Sequence, residues 1–307
     1  MRDLLIFIPA RYFALQNIQK KMNFIPNRNT FEGYGEIITA AILWGFVGIL
    51  AKRISGMWVP GIIFYRMGFA LVILFMVLLI SGKLDKIRLK GKKKYLVIFG
   101  LLQLGTMLAY FVSILNASVS VAVLLLYTAP VYVTLLSPLL LKESSTKKGV
   151  IALLLAIAGI VLIVDPEKLD FTLSIGILAG IVAGLSYAFQ IVTSKYISDT
   201  YTGYSQAFWS FFIATLILLP WGLAPANVVI DNMPSLLLLA IFPTILSISL
   251  YFNGLKKVRA QNASILGLIE PASAVFLAVL ILGEKISIPV IAGGVLILAG
   301  AALVTRD

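Results

Sequence analysis

The chain has 307 residues, of which 60% are hydrophobic and 12% are charged, whereas an ordinary soluble domain carries about 25% charged residues. It contains neither cysteine nor histidine, which excludes disulfides, thiolate chemistry, haem, ordinary zinc sites and histidine proton relays. The composition therefore predicts an integral membrane protein in which any titratable step must use a carboxylate.

Residues 1–34 precede the first long apolar segment, and we expect them to form a cytoplasmic or interfacial extension. Their stretch LLIFIPARYFAL resembles the apolar region of a signal peptide. However, Pro9 and Arg11 interrupt it, and no small-residue cleavage site follows. We therefore expect no cleaved leader, and the choice between a start at Met1 and one at Met22 stays open.

Ten apolar segments of roughly 16 to 23 residues follow, which is about the length that crosses 30 Å of hydrocarbon at 1.5 Å per residue. The connection between the third and fourth segments holds only a few residues, so these two helices are expected to form a tight hairpin. The segments are predicted at 35–51, 60–81, 95–115, 120–141, 149–164, 174–194, 204–222, 234–254, 262–283 and 288–304.

Lysine and arginine are unevenly distributed among the connections. With the N-terminus inside, 20 of the 25 basic residues fall on the inner side, four fall outside and Arg66 lies within the second segment. The positive-inside rule then predicts that both termini are cytoplasmic. The net charge of +12 reflects this topology in a lipid bilayer and does not indicate a nucleic-acid partner, because the basic residues stand between apolar runs.

An apolar motif returns along the chain. Residues 121–143 read VAVLLLYTAPVYVTLLSPLLLKE and residues 262–284 read NASILGLIEPASAVFLAVLILGE, with proline and terminal glutamate at the same positions under an offset of 141. Similar offsets relate the other segments, which gives two five-helix units, 35–164 and 174–305. Because five is odd, the second unit starts from the other side of the membrane. The predicted fold is an all-α membrane protein with ten transmembrane helices in two inverted five-helix repeats.

These residues also resemble a known family. The stretches LLLYTAP…KE and LIEP…LGE, together with the Ala-Gly steps at 158–159 and 299–300, are similar to the EamA-type transporters of the drug/metabolite transporter superfamily. The resemblance covers residues 35–305. It implies export of small metabolites, often amino acids, by alternating access. It also implies a central cavity lined mainly by helices 1, 3, 4, 6, 8 and 9.

Glu270 is the first candidate for chemistry at such a site. It lies about eight residues, or roughly 12 Å, into the ninth segment, near the middle of the bilayer. A charge at that depth is costly and needs a partner or a proton. Two interpretations stay open: Glu270 binds a proton or a substrate ammonium group, or it is a paired scaffold residue that locks the ninth helix against a neighbour.

Pro130 and Pro271 occupy equivalent places in the two repeats. Each removes a helical hydrogen bond and clashes with the carbonyl group four residues earlier, at Leu126 and at Gly267. The freed carbonyl groups are tolerated where they face protein or a cavity. Three interpretations stay open: the freed carbonyl groups bind substrate, the prolines act as hinges, or the prolines form static kinks.

Polar and aromatic side chains on the expected cavity helices complete the candidate substrate site. The amides are favoured, because an amide in hydrocarbon requires a hydrogen-bond partner. The aromatic residues either line the cavity or simply pack and anchor. The candidates are Trp44, Gln103, Tyr110, Tyr127, Tyr187, Gln190, Tyr251 and Asn253.

Two further features have alternative interpretations. Arg66 either attracts a substrate carboxylate or pairs with a neighbouring helix. The GxxxGxxxG stripe of Gly176, Gly180 and Gly184 either packs against helices of the same chain or forms a dimer contact or a sliding surface. We accordingly leave open whether the protein is a monomer or a homodimer.

An enzyme is not expected. Without histidine there is no Ser-His pair and no HExxH metal site, the aspartates fall in loops or tails, and no Walker motif occurs. No metal site or cofactor is predicted.

The sparse polar groups near the midplane favour a transporter over a channel. The expected function is secondary-active export of a small metabolite, with protons as a possible partner, from the plasma membrane of a prokaryote. A facilitative uniporter and a non-transporting receptor are the alternatives.

Overall fold

The computed structural model describes residues 28–164, 175–283 and 287–306. The predictions made for residues 1–27 and for the start of the sixth segment at residue 174 lie outside the described residues. Within the described ranges the chain is helical and contains no strand.

Ten apolar helices follow one another in these ranges. Nine are long and apolar enough to cross a membrane, and the last has 17 residues. A short 3₁₀ helix, Leu84–Ile87, and a short α-helix, Ala226–Asp231, lie between them. The ten helices are α1 Arg28–Lys52, α2 Val59–Ile80, α3 Lys93–Asn116, α4 Val119–Leu140, α5 Lys147–Val164, α6 Ile175–Ile197, α7 Gly203–Gly222, α8 Met233–Lys257, α9 Ala260–Leu282 and α10 Ile288–Val304.

Each predicted segment coincides with one of these helices, and the ends differ by three residues or fewer except at the start of α1. The tight connection between α3 and α4 is confirmed: only Ala117 and Ser118 separate them, and the Ser118 hydroxyl caps α4 by accepting a hydrogen bond of 3.2 Å from the Val121 N–H. A serine at this position satisfies one of the unpaired donors of the first turn.

The predicted start of the first helix at residue 35 is wrong, because the helix already includes residues 28–34. Tertiary ion pairs hold these polar turns. The Lys257 ammonium lies 2.9 Å from the Glu36 carboxylate and 3.7 Å from that of Glu32, and Arg28 and Glu32 pair at 3.3 Å one turn apart. Hydropathy alone does not register such pairs, since the partner lies in α8.

Four of the helices are irregular. α1 is interrupted at Gly45, α4 at Tyr127 and Thr128, and α9 at Leu268, while α8 contains a π-helical turn at Ile241–Leu246. The interruptions of α4 and α9 lie two and three residues before Pro130 and Pro271, within the turn that a proline disturbs because it lacks a backbone donor. Both helices are thus interrupted near these prolines, and the action of the prolines as hinges stays a prediction.

Helices from the two halves of the chain pack against one another. α1 packs along α8, α3 along α6, α2 against α7 and α5 against α10. The glycine stripe of α6 faces the α3–α4 hairpin of the same chain: a Cβ atom at Gly180 would lie 2.5 Å from the Leu125 side chain, and one at Gly184 would lie 2.5 Å from the Leu125 carbonyl oxygen. The stripe thus serves packing within the chain.

One end of the bundle is rich in lysine, and we call it the lysine-rich end. At this end, hydrogen bonds and ion pairs connect six stretches of the chain, which are residues 28–36, 81–95, 140–148, 195–204, 255–262 and 304–306. The opposite end contains residues 51–59, 115–119 and 222–233, where Ser55 and Asn232 exchange hydrogen bonds of 3.0 and 2.9 Å. The large apolar side chains that remain exposed, such as Ile80, Leu139 and Phe276, lie on the outer surface of the helices, as expected for contact with lipid.

We predict that only one of two neighbouring glycines of α10 is sensitive to a larger side chain. Gly293→Val should destabilise the protein by about 1–3 kcal/mol, because it overpacks a close helix contact: a Cβ atom at Gly293 would lie 2.5 Å from the Gly159 carbonyl oxygen of α5. Gly294→Val is the matched control, since nothing lies within 4 Å of its Cβ position. Thermal unfolding in detergent measures both. Equal destabilisation by the two variants would contradict this packing of α5 on α10.

Candidate functional site

A cavity of about 380 Å³ lies among α1, α2, α3, α4, α6, α8 and α9. This volume falls in the range of about 300–1,000 Å³ that is typical of small-molecule sites. The resemblance had not implied a contribution from α2, yet α2 provides four lining residues, including Arg66. The cavity is thus an internal site between helices of both halves.

The structure brings six of the predicted residues together on the cavity wall, from α1, α3, α6 and α9. The other three predicted side chains lie behind the wall or away from it, as described below. The six lining residues are Trp44, Gln103, Tyr110, Tyr187, Gln190 and Glu270.

Glu270 stands at the start of a half-helix. α9 breaks at Leu268 and resumes at Ile269, so the Glu270 carboxylate lies in a first helical turn, where the helix dipole favours negative charge. The Tyr127 hydroxyl lies beside this carboxylate. Tyr127 itself is not on the cavity wall, so it supports Glu270 from behind.

Arg66 is the positive group of the cavity. Its Nε donates to the Thr244 hydroxyl oxygen, and one of its terminal nitrogens donates to the Pro243 carbonyl oxygen at 3.0 Å. Both acceptors belong to the π-helical turn of α8, and the Thr244 hydroxyl in turn donates to the Leu239 carbonyl oxygen at 2.7 Å. The turn frees carbonyl groups from the regular helical pattern, and this buried arginine uses one of them. Arg66 therefore pairs with a neighbouring helix, which is one of its two interpretations, and it also lines the cavity; attraction of a substrate carboxylate stays a prediction.

Arg66 and Glu270 interact electrostatically across the cavity, but they do not form an ion pair within 4.0 Å among the described residues. They are the two charged residues of the cavity wall as the structure describes it. The cavity therefore presents one positive and one negative group, held apart, in an otherwise apolar and weakly polar lining.

Two amides join α3 and α6 at the cavity. The Gln190 Nε2 group donates a hydrogen bond to the Gln103 Oε1 atom, and both side chains are largely buried. In an apolar environment this hydrogen bond pairs one polar group of each amide, which stabilises the contact between the two helices.

The remaining predicted residues lie outside the lining. Tyr251 is fully buried: its ring lies 5.0 Å from that of Trp44, and its hydroxyl lies beside that of Tyr187. Asn253 points elsewhere, because its Oδ1 atom accepts a hydrogen bond of 2.9 Å from the Gly203 N–H at the start of α7.

The four helix irregularities all adjoin the cavity. Lining residues lie within two positions of each of them: Trp44 in α1, Leu126 in α4, Ile248 in α8 and Glu270 in α9. Irregular backbone at membrane depth is tolerated where it faces protein or a cavity. Pro243, which lies in the turn that binds Arg66, was the signal in the sequence that could have located this turn.

The cavity is closed toward the lysine-rich end. Phe99, Tyr251 and Phe252 form a buried aromatic layer on that side, with ring centroids 4.9 Å apart for Phe99 and Phe252 and 5.2 Å apart for Tyr251 and Phe252. In the other direction the lining continues to Ala51, Val59 and Ile114, at or near the opposite end. The site is therefore reached from one side.

The model of the EamA-like transporter family matches residues 32–165 and 174–306 of the chain. The protein belongs to this family. A relative described as an uncharacterized transporter of Archaeoglobus fulgidus is 33% identical over 277 residues, which cover 89% of this chain and 97% of the relative. The uncharacterized inner membrane transporter YicL of Salmonella typhimurium is 29% identical, and the match covers 91% of this chain and 97% of YicL.

A solved structure, described only as that of a protein, shares the fold with a TM-score of 0.77 at 19% identity, and the match covers 92% of this chain and 99% of the other. Membership of the EamA-like family and these relatives identify the protein as a multi-pass membrane transporter of the predicted family. This agrees with the expectation that it is not an enzyme.

We predict that the two cavity amides are energetically coupled. Gln103→Leu and Gln190→Leu should each destabilise the protein by about 1–3 kcal/mol, because each leaves a buried amide without its partner. The double variant should recover part of this loss, with a coupling of at least about 0.5 kcal/mol. Thermal unfolding of the two single variants and the double variant completes the cycle, and strictly additive losses would argue against the pairing.

Proposed function

We propose that the protein is a secondary-active transporter that exports a small organic metabolite, such as an amino acid, from a prokaryotic cell across its plasma membrane. The observation that carries this proposal is the cavity among α1, α2, α3, α4, α6, α8 and α9, which is reached from the opposite end and closed toward the lysine-rich end. A carrier requires such a site with access from one side at a time. An open channel would require a continuous path instead.

The proposal includes ten membrane crossings in two inverted five-helix halves with both termini in the cytoplasm. The helix packing supports it. If α1 to α5 correspond to α6 to α10, the α1–α8 contact corresponds to the α6–α3 contact, and the α9–α1 contact corresponds to the α4–α6 contact. The structure contains all four contacts. The α2–α7 and α5–α10 contacts map onto themselves. The breaks in α4 and α9 precede the equivalent Pro130 and Pro271, which favours a common architecture of the halves.

We propose that Lys195 holds the lysine-rich end closed, and we call the contacts of its ammonium group the latch. Its ammonium group donates to the carbonyl oxygens of Leu255, at 2.9 Å, and Val258 and lies 3.5 Å from the Glu143 carboxylate. Glu143 in turn accepts a hydrogen bond of 2.8 Å from the Ala260 N–H at the start of α9. These contacts tie the ends of α4 and α6 to the α8–α9 connection, so exposing the cavity at the lysine-rich end requires that they separate.

We further propose that Glu270 couples transport to protons, because it is the acidic residue of the cavity wall. The groups that face it are the Arg66 guanidinium and the hydroxyls of Tyr110, Tyr127 and Tyr187, with Tyr251 behind them. In the cycle that we propose, Glu270 binds a proton on one side of the membrane and releases it on the other side, and binding of the proton alternates with binding of the cargo. The helix segments joined at Pro130 and Pro271 act as hinges in this cycle.

We predict that Lys195→Met opens the lysine-rich end more often, because it removes both the ion pair and the hydrogen bonds to α8. The chain has no cysteine, so Ser264→Cys, buried between this latch and Glu270, provides a specific reporter. Its labelling by a membrane-impermeant maleimide from the lysine-rich side should accelerate several-fold. Lys256→Met is the control, since this exposed lysine makes no ion pair in the described part of the chain. Equal rates in both variants would refute the latch.

The transport proposal is tested in proteoliposomes with pooled radiolabelled amino acids. With an acidic lumen, proton exit should accelerate uptake by the wild-type protein, whereas Glu270→Gln should transport at a rate that does not depend on the gradient. Gradient-independent equilibration by both proteins would refute proton coupling and favour a facilitator. If neither protein takes up any amino acid, the amino-acid proposal fails, and pools of other metabolites then decide whether the protein transports at all.

A further inference from the structure

We infer that the cargo is bound as a zwitterion, with its carboxylate on Arg66, its ammonium group on Glu270 and an uncharged, largely apolar side chain in the rest of the cavity. This inference rests on the proposed transport function and specifies the class of molecule: a single α-amino acid with a side chain of that kind. It also makes Arg66 a residue that determines specificity.

The first argument is the separation of the two charges. Arg66 and Glu270 line the same cavity and are within electrostatic reach of each other, yet they do not form a direct ion pair among the described residues. Uncompensated charges at membrane depth are unfavourable. A molecule that carries both a carboxylate and an ammonium group satisfies both side chains at once. An anion would meet the like charge of Glu270, and a cation would meet that of Arg66.

The second argument is the orientation of the guanidinium group. The Nε atom and one terminal nitrogen are held by Thr244 and Pro243 in the π-helical turn. The other terminal nitrogen makes no hydrogen bond to the described residues, and the side chain lines the cavity. The guanidinium group of Arg66 is thus held along one edge, and its other terminal nitrogen remains as a donor. This nitrogen can form a charge-assisted hydrogen bond to a carboxylate.

The third argument is the remainder of the cavity wall. Toward the opposite end it is lined by apolar side chains, among them Val47, Ile62, Met107 and Phe111. Beyond Arg66 and Glu270, the part of the wall that the structure describes holds no charged side chain to pair with a charged cargo side chain. A lysine-like or glutamate-like cargo would therefore bury a third charge without a partner, which disfavours it.

The test measures binding to the purified full-length protein in detergent by isothermal titration calorimetry. The probes are L-leucine, L-valine, L-methionine and L-phenylalanine, then L-lysine and L-glutamate, and two leucine analogues: 3-methylbutylamine, which lacks the carboxylate, and 4-methylpentanoate, which lacks the ammonium group. We expect at least one of the four apolar amino acids to bind. Loss of either charge from the ligand should weaken binding by about 10- to 150-fold, the range that corresponds to one charged hydrogen bond.

Two variants assign the charges. Arg66→Met should abolish the preference for L-leucine over 3-methylbutylamine, and Glu270→Gln should abolish the preference over 4-methylpentanoate. Arg53→Met, which changes an exposed arginine near the opposite end, should leave both preferences unchanged. Because the ligand series on the wild-type protein needs no variant, the inference stays testable even if a variant fails to fold.

The outcomes separate this inference from the proposed function. If leucine and both of its analogues bind equally well, or if L-lysine or L-glutamate binds best, recognition of an apolar zwitterion is refuted, while uptake in proteoliposomes still supports transport. If none of the amino acids binds and another class of metabolite is taken up, the inference fails and transport stands. If no metabolite is taken up, the proposed function fails together with the inference.

Discussion

Inside a bilayer no water can bond a backbone group that leaves the helical pattern, so every irregular turn must face protein or a cavity. This constraint explains why the breaks of α1, α4 and α9 and the π-helical turn of α8 all adjoin one cavity. The break of α4 is also compensated locally, since the Thr128 hydroxyl donates to the Leu125 carbonyl oxygen at 2.5 Å. The irregular backbone is thereby concentrated where a carrier needs polar groups.

The same constraint governs the charged side chains. A lysine or glutamate at a helix end is reached by water, but Arg66 and Glu270 lie within helices and must be supported by the fold. The π-helical turn supports the arginine, and the start of a half-helix together with Tyr127 supports the glutamate. Irregular backbone and buried charge therefore occur together, because each satisfies a requirement of the other.

The two ends of the bundle differ although the halves resemble each other. Toward the lysine-rich end, the aromatic layer of Phe99, Tyr251 and Phe252 and the contacts of Lys195 and Glu143 close the interior. Toward the opposite end the cavity continues between α1, α2 and α3. In the alternating-access cycle that we propose, the counterpart of this asymmetric state is a second state in which the two ends exchange roles.

The sequence by itself determined the ten helices and the repeated motif, because membrane length and apolar composition are local properties that each segment carries alone. Six of the nine candidate residues that it offered lie on the cavity wall. It did not determine the helical turns at 28–34, which depend on ion pairs with Lys257 in α8. Nor did it decide that Asn253 bonds the Gly203 N–H while Arg66 faces the cavity. Only the tertiary structure decided these points, since the partners are far apart in the chain and meet through the packing of the two halves.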